Sequence, residues 1–258
     1  MHIRYVVQAR LTSKRLERKV LRPLGGRPLI AHIIERLERV DAPDTSLVFA
    51  IPPESSGAEE CDLAQYLRDV GVEYCVGDEH DVLARFIDAA RGLKDEDYII
   101  RLTGDNPFID YKELAQIADY LRAPAPKDHR PLADLIYPYK LPLGMGFEGI
   151  SVRALREQKL HDLSPHHEEH VSTFIKENPS CYAIEKIDRF EGPDIRLTVD
   201  VQADLDTAEG VYGHFSSQGN PWFCTAEVYR LAAENPGLFS LNTHVQQRSP
   251  RSYETRTR

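Results

Sequence analysis

The chain has 258 residues, 41% hydrophobic and 28% charged, and its 32 Lys and Arg against 41 Asp and Glu leave a formal net charge of -9. That length holds one large or two small domains whose core needs neither disulfides nor a structural metal. The acid excess argues against a general nucleic-acid binder, no apolar run approaches the roughly 20 residues of a membrane span, and the start shows no apolar leader core. No nucleic-acid partner, no membrane partner and a cytoplasmic location are therefore expected.

Ile3, Tyr5, Val6 and Val7 mark a first strand over residues 3–7. Leu29, Ile33, Ile34 and Leu37 fall on one helix face, which predicts a helix over 28–40 with Pro28 at its first position. The alternation repeats as strand 47–51, helix 59–70, strand 73–76, helix 81–91, strand 98–102 and helix 111–121. Strands separated by helices imply crossovers and a mostly parallel sheet. The proline-rich stretch 123–131 reads as an exposed loop. Beyond it come expected strands at 132–137, 146–151, 182–187 and 195–199 and helices at 152–158, 165–177 and 203–215. This second half reads as an extension of the sheet by an excursion, not as a separate domain. The end, 246–258, has too few apolar groups to pack and reads as a disordered basic tail. Cys61, Cys75, Cys181 and Cys224 lack C-x-x-C spacing, so neither a zinc ribbon nor a redox pair is supported, and reduced structural thiols are expected.

The stretch Gln8 to Arg22 carries Arg10, Lys14, Arg15, Arg18, Lys19 and Arg22 against the single acid Glu17. Crowded like charges repel unless a polyanion is bound, although a solvated basic loop has the same composition. Position favours the polyanion, because parallel sheets bind ligands beyond the carboxyl ends of their strands. Gly25 and Gly26 offer a turn and further backbone donors. Neither G-x-x-x-x-G-K-[ST] nor G-x-G-x-x-G is present, which excludes a P-loop and disfavours a nicotinamide enzyme. Asp105 and Asp200 each follow a strand. An Asx-turn acid at Asp105 and a helix cap at Asp200 are the plain alternatives to a shared hard cation, which takes one or two carboxylates beside phosphate and water.

The residues Gln8-Ala9-Arg10-Leu11-Thr12-Ser13-Lys14-Arg15-Leu16-Glu17-Arg18-Lys19-Val20-Leu21 resemble the Q-A-R-x-x-S-x-R-L-P-x-K-V-L signature of spore-coat-polysaccharide-type cytidylyltransferases, relatives of the CMP-KDO and CMP-sialic acid synthetases. The likeness continues through Gly26-Arg27-Pro28-Leu29-Ile30, Asp81-Val82-Leu83-Ala84-Arg85-Phe86 and Arg101-Leu102-Thr103-Gly104-Asp105-Asn106-Pro107-Phe108-Ile109-Asp110. It resumes at Glu169-His170-Val171-Ser172 and Leu197-Thr198-Val199-Asp200, so it covers most of residues 3 to about 215.

The resemblance implies a nucleotide-diphospho-sugar transferase-like α/β fold, Rossmann-like, with a mostly parallel mixed sheet flanked by helices. The nucleotidyltransferase domain would span 1–245, with the excursion at about 140–190 serving the acceptor site and a homodimer contact. It further implies transfer of CMP from CTP to a small acceptor, with Mg²⁺ as cofactor and release of pyrophosphate. Arg10, Arg15, Lys19 and Asp105 would be catalytic. Gln8, Ala9, Ser13, Gly77, Asp81, Arg85 and Thr103 would complete the nucleotide site, Asp105 and Asp200 would bind metal, and Glu148, Glu169 and His170 would face the acceptor. For Asp81 and Arg85, an acid at a helix start and an exposed cation remain the alternative.

Three departures stand out: Glu17 replaces the usual proline, Gly146 stands where an acid is commoner, and Glu168 stands where arginine often precedes Glu-His. The last two alter charge at the acceptor side, which leaves sugar acids, sugar or polyol phosphates and phosphonates open. A phosphate or phosphonate acceptor ionises near neutrality and needs no protein base, whereas a hydroxyl does; Glu148 and His170 are the candidates for that base. Two other functions compete. One is a catalytically silent nucleotide-binding subunit. The other is a zinc hydrolase, because His166, Glu169 and His170 spell the H-x-x-E-H pattern.

Overall fold

A computed structural model of the chain describes residues 1–53, 62–123 and 132–247. In chain order, β1 (Ile3–Gln8), a short hairpin of β2 (Pro23–Leu24) and β3 (Arg27–Pro28), α1 (Leu29–Glu38) and β4 (Thr45–Ile51) come first. They are followed by α2 (Asp62–Asp69), β5 (Glu73–Val76), α3 (Val82–Ala89), β6 (Tyr98–Thr103) and α4 (Tyr111–Arg122). The remainder supplies β7 (Leu135–Tyr139), β8 (Glu148–Ser151), α5 (Val152–Glu157), α6 (Pro165–Glu169), α7 (Thr173–Glu177), β9 (Ile184–Asp188), α8 (Gln202–Ser217) and α9 (Thr225–Glu234).

Among the described residues, seven strands form one sheet in the order β5-β4-β1-β6-β8-β7-β9. β1 pairs parallel with β4 and β6, while β8 runs antiparallel between β6 and β7. The sheet is therefore mostly parallel and mixed, and β7, β8 and β9 continue it rather than found a second one. Side chains alternate along β1, so Ile3, Tyr5 and Val7 enter one core layer and Val6 the other. The first layer joins them to Ile33, Leu37, Ile117 and Phe223, the second joins Val6 to Phe86, Leu155 and Val171. Helices thus cover both faces, as a parallel sheet requires. No helix among the described residues is long and apolar enough to cross a membrane.

Four expectations are corrected. Pro28 does not open the first helix; its ψ of 139° is extended and it pairs with Pro23, so α1 begins at Leu29. Gly25 and Gly26, at φ 57° and 79°, turn the hairpin against Tyr212 instead of joining a phosphate cradle. The helix expected over 165–177 breaks after Glu169, because the buried Ser172 turns aside to donate its hydroxyl to Glu148, 2.9 Å away. The strand expected over 195–199 is a lone bridge from Arg196 to Leu143. Gly144 makes that approach possible: at φ 103° a side chain there would collide with Thr198 N at 2.3 Å. The helix α9 has no counterpart among the elements expected from the sequence. The start of the helix expected at 59–70, Cys61, most of the loop 123–131 and the tail from 248 onward lie outside the described residues.

Candidate functional site

The sheet reverses its order beside β1: β4 and β5 lie to one side, β6 to the other. A crevice opens beyond the carboxyl ends at such a point. Gln8 and Thr103 are register partners at those ends, and Gly104 N donates to Gln8 O at 2.8 Å. A Cβ on Gly104 would sit 2.9 Å from Ala9 Cβ, so the loops after β1 and β6 are pressed together. This packing brings the basic stretch beside Asp105.

A cavity of about 670 Å³ occupies the crevice. Of the expected site residues, Gln8, Ala9, Arg10, Ser13, Arg15, Lys19, Arg85, Thr103, Asp105 and Glu169 line it. Its size lies within the range of small-ligand pockets. Gly77 and Asp81 are not in its wall. Gly77 lies under Arg85, whose Cγ a Cβ there would meet at 2.7 Å. Asp81 caps α3 by accepting from Ala84 N at 2.8 Å and also holds Lys159. Arg85 is not the exposed cation of the plain alternative: it is 3% exposed and donates to Asp78 O at 2.8 Å and to Glu79 O. Glu79, which no motif marks, also lines the cavity and accepts from Thr12 at 3.4 Å.

The charged centre joins two acids that are far apart in the chain. Lys19 Nζ lies 2.7 Å from Asp105 Oδ2 and 2.8 Å from Asp200 Oδ1, and Arg15 lies 2.9 Å from the same Asp200 oxygen. Arg196 holds the other Asp200 oxygen at 2.8 Å. Burial pushes the Asp200 carboxyl up, but the positive charges of Lys19 and Arg15 and hydrogen bonds from Lys19 and Arg196 outweigh it and bring it down to about 2. The helix-cap alternative does not describe Asp200: the start of α8 is held by Asp204, which accepts from Asp200 N and Val201 N at 2.9 and 3.2 Å. Arg196, Asp200 and Asp204 recur every four residues, the one sequence signal that marks this network.

Two carboxylates converging on one cationic nitrogen form a donor set that suits a hard divalent ion, which takes its remaining ligands from phosphate and water. The zinc pattern has no comparable geometry. His166 and His170 pack ring against ring at 4.7 Å, and no group of three His, Cys, Asp or Glu among the described residues is arranged to hold a metal.

A second cavity of about 270 Å³ adjoins the first at Thr103 and is lined by Arg101, Asn106, Tyr137, Lys140, Phe147 and Glu148, among others. Of the three residues expected at the acceptor, Glu148 is in this wall, Glu169 is in the larger cavity, and His170 contributes to neither. Burial, then the neighbouring His166 and Arg101, push His170 down to about 4, so its imidazole is neutral at physiological pH. Glu148 is saturated: Arg101 reaches it at 2.9 Å, Ser172 at 2.9 Å, and Lys176 closes the ring of donors. That leaves no free oxygen for proton abstraction.

Burial raises the Glu148 carboxyl, but Arg101 and Lys176 prevail and bring it from 4.5 down to about 2. Its folded value lies below its unfolded one, so its stabilisation is complete above 4.5 and is lost as pH falls toward 2. Glu148→Gln is expected to cost roughly 3 kcal/mol at neutral pH and to flatten the acid limb of stability. Urea midpoints for both proteins, taken at intervals from neutrality to strong acid, check this; parallel curves would remove Glu148 from the acid response.

A family model described as Cytidylyltransferase matches residues 5–229. The spore coat polysaccharide biosynthesis protein SpsF of Bacillus subtilis is 29% identical over 242 residues, 91% of this chain and 95% of that protein. Among solved structures, a cytidylyltransferase from Leptospira borgpetersenii serovar Hardjo-bovis superposes with a TM-score of 0.76 at 22% identity, covering 96% of this chain and 99% of that one. The CMP:2-keto-3-deoxy-manno-octonic acid synthetase complexed with CTP superposes at 0.62 with 16% identity, covering 83% and 99%.

Proposed function

The chain belongs to the cytidylyltransferase family, related to the spore-coat and KDO-activating enzymes, and from that premise we propose how it works as a nucleotidyltransferase: Mg²⁺-dependent transfer of CMP from CTP to a small anionic acceptor, with release of pyrophosphate. The observation that carries this reading is the convergence of Arg15, Lys19 and Asp105, which line one cavity, on Asp200 just behind its wall.

In this mechanism Arg10, Arg15 and Lys19 bind the triphosphate and offset the charge that develops on the departing pyrophosphate. Gln8, Ala9, Ser13, Thr103 and Arg85 shape the rest of the nucleotide site. Asp105 and Asp200 would hold Mg²⁺, which supplies charge neutralisation on phosphate oxygens when bound. An acceptor oxygen attacks the α-phosphorus in line with the leaving group, so positioning supplies much of the rate and no covalent enzyme intermediate is required. The acceptor occupies the smaller cavity. Arg101 and Lys140 line it, paired with Glu148 and Asp188, and Gly146 adds no further carboxylate, which leaves the wall open to an anion. Tyr137 and Phe147 offer flat apolar surface to a sugar or polyol skeleton. With Glu148 saturated and His170 outside both walls, an acceptor that arrives already ionised, such as a phosphate or phosphonate, suits the site better than a bare hydroxyl. A cytoplasmic homodimer contributing to polysaccharide biosynthesis is the setting we propose. Exposed Tyr139 and Leu143 give the excursion apolar contact surface for a second copy.

The test is thermal stabilisation by each nucleoside triphosphate with and without Mg²⁺, since a ligand that binds the native state raises the melting midpoint. CTP with Mg²⁺ is expected to stabilise most. Arg15→Ala is expected to weaken CTP binding by about tenfold or more while leaving CMP within about threefold, because it removes a phosphate-facing charge. No response to any nucleotide would reject the reading. Stabilisation without turnover in an acceptor screen would favour the silent subunit instead.

A further inference from the structure

Asp105 stands on the turn after β6 and Asp200 stands just before α8, and two carboxylates brought together repel. Three cations hold them: Arg15 and Lys19 share Asp200 Oδ1 at 2.9 and 2.8 Å, Lys19 alone also reaches Asp105, and Arg196 holds the far oxygen of Asp200. Arg196 is anchored: its Nε meets Asp204 Oδ1 at 2.8 Å, and Asp204 is fully buried, with Asn242 donating to it at 2.9 Å. Lys19 has no such anchor. Its ammonium donates to Asp105 and Asp200, and its stem comes from the basic loop that lines the cavity. It lies where a divalent ion shared by the two acids would lie, and ion and ammonium cannot use the same oxygens at once.

We propose that Lys19 is a stand-in cation: it keeps the carboxylate pair assembled before the divalent ion arrives, then yields the pair to the ion and turns to the incoming triphosphate. This rests on the reading of Asp105 and Asp200 as the metal ligands. Lys14, Arg15 and Arg18 line the same cavity, so a displaced ammonium meets other cations unless phosphate is present. The ion alone therefore binds against the cost of expelling Lys19, and triphosphate removes that cost. Ion and nucleotide then tighten each other's binding reciprocally. Arg196, held by Asp204, keeps Asp200 oriented through the exchange.

The experiment measures Mn²⁺ affinity by electron paramagnetic resonance, at fixed ionic strength, with and without CTP. Lys19→Met is expected to bind Mn²⁺ alone about tenfold more tightly than wild type, and its gain on adding CTP should shrink by a similar factor. The sign is distinctive, since a residue that merely supports the site would weaken binding when removed. Lys19→Gln serves as a second variant, with circular dichroism melts to verify folding. In the wild-type protein, reductive methylation read by mass spectrometry should label Lys19 faster at saturating Mn²⁺ and slower again once CTP is added. Unchanged or weaker Mn²⁺ binding in both folded variants, or labelling of Lys19 that ignores Mn²⁺, would overturn the exchange while leaving the metal site intact. Mn²⁺ binding that Asp105→Asn does not disturb, with or without CTP, would overturn the metal reading beneath it.

Discussion

Asp105→Asn is expected to leave the fold intact and to lower turnover by about three orders of magnitude. The substitution keeps the size of the side chain and the backbone bond from Val199 N to Asp105 O at 2.9 Å, which ties the turn after β6 to the segment leading into Asp200. What it removes is one of two negative charges on the pair. A divalent ion held by a single carboxylate loses charge complementarity where phosphate oxygens must be gathered, and a deficit of about 4 kcal/mol in the transition state corresponds to that rate loss. The stability change should stay within about 1 kcal/mol, because Asp105 is a quarter exposed and Lys19 keeps its bond to Asp200. Pyrophosphate release from CTP with Mg²⁺ and an accepted sugar acid or sugar phosphate, run beside a thermal melt, checks both halves. Turnover near that of wild type would remove Asp105 from the chemistry.

The largest loss of stability is expected from Asp204→Ala. Asp204 is wholly buried at the start of α8, and it accepts from Arg196, from Asn242 and from the backbone N–H groups of Asp200 and Val201. Removing the carboxylate strips Arg196, only 10% exposed along its side chain, of one of its two acidic partners and leaves buried donors unmet. Breaking a buried pair from one side costs about 3–5 kcal/mol, which lowers the melting midpoint of a chain this size by roughly 10 °C. Urea denaturation gives the free energy directly. A change below about 1 kcal/mol would mean that water reaches and satisfies these groups, and the network would then contribute little to orienting Asp200. If the network acts as described, the variant should also lose metal affinity at temperatures where it is still folded.

Much of the crevice beyond β1 was legible from residues alone. The basic stretch from Arg10 to Arg22 is contiguous, it follows a strand whose apolar side chains declare themselves, and six cations against one acid is a chemical statement that needs no partner. Asp105 was legible too, because a carboxylate between Gly104 and Asn106-Pro107 after an apolar run must sit on a turn at the sheet edge. The order of helices and strands through the first half followed from periodicity, since both faces of a parallel sheet bury their side chains and each helix shows one apolar stripe.

Other features resisted that reading for identifiable reasons. The helix over 165–177 has a continuous pattern, yet it breaks because Ser172 finds Glu148, 24 residues away. The apolar run at 195–199 reads as a strand, yet the loop around Gly144 takes its hydrogen bonds at Leu143 and Asp105 takes another, so no ladder forms. Glu148 and Glu169 look alike as lone acids in the sequence, but one is saturated by Arg101, Lys176 and Ser172 while the other lines the larger cavity. The sequence by itself determined the fold class and a crowded basic loop at a strand's end, because those depend on local periodicity, strand ends and clustered charge, while the kind of chemistry rested on the resemblance of its motifs to a family. Only the tertiary structure decided which acid meets which cation: whether Lys19 and Arg15 reach Asp200, and whether Asp204 holds Arg196, depends on how distant segments cross at the sheet edge, and Coulomb attraction and desolvation act on distance in space rather than in sequence.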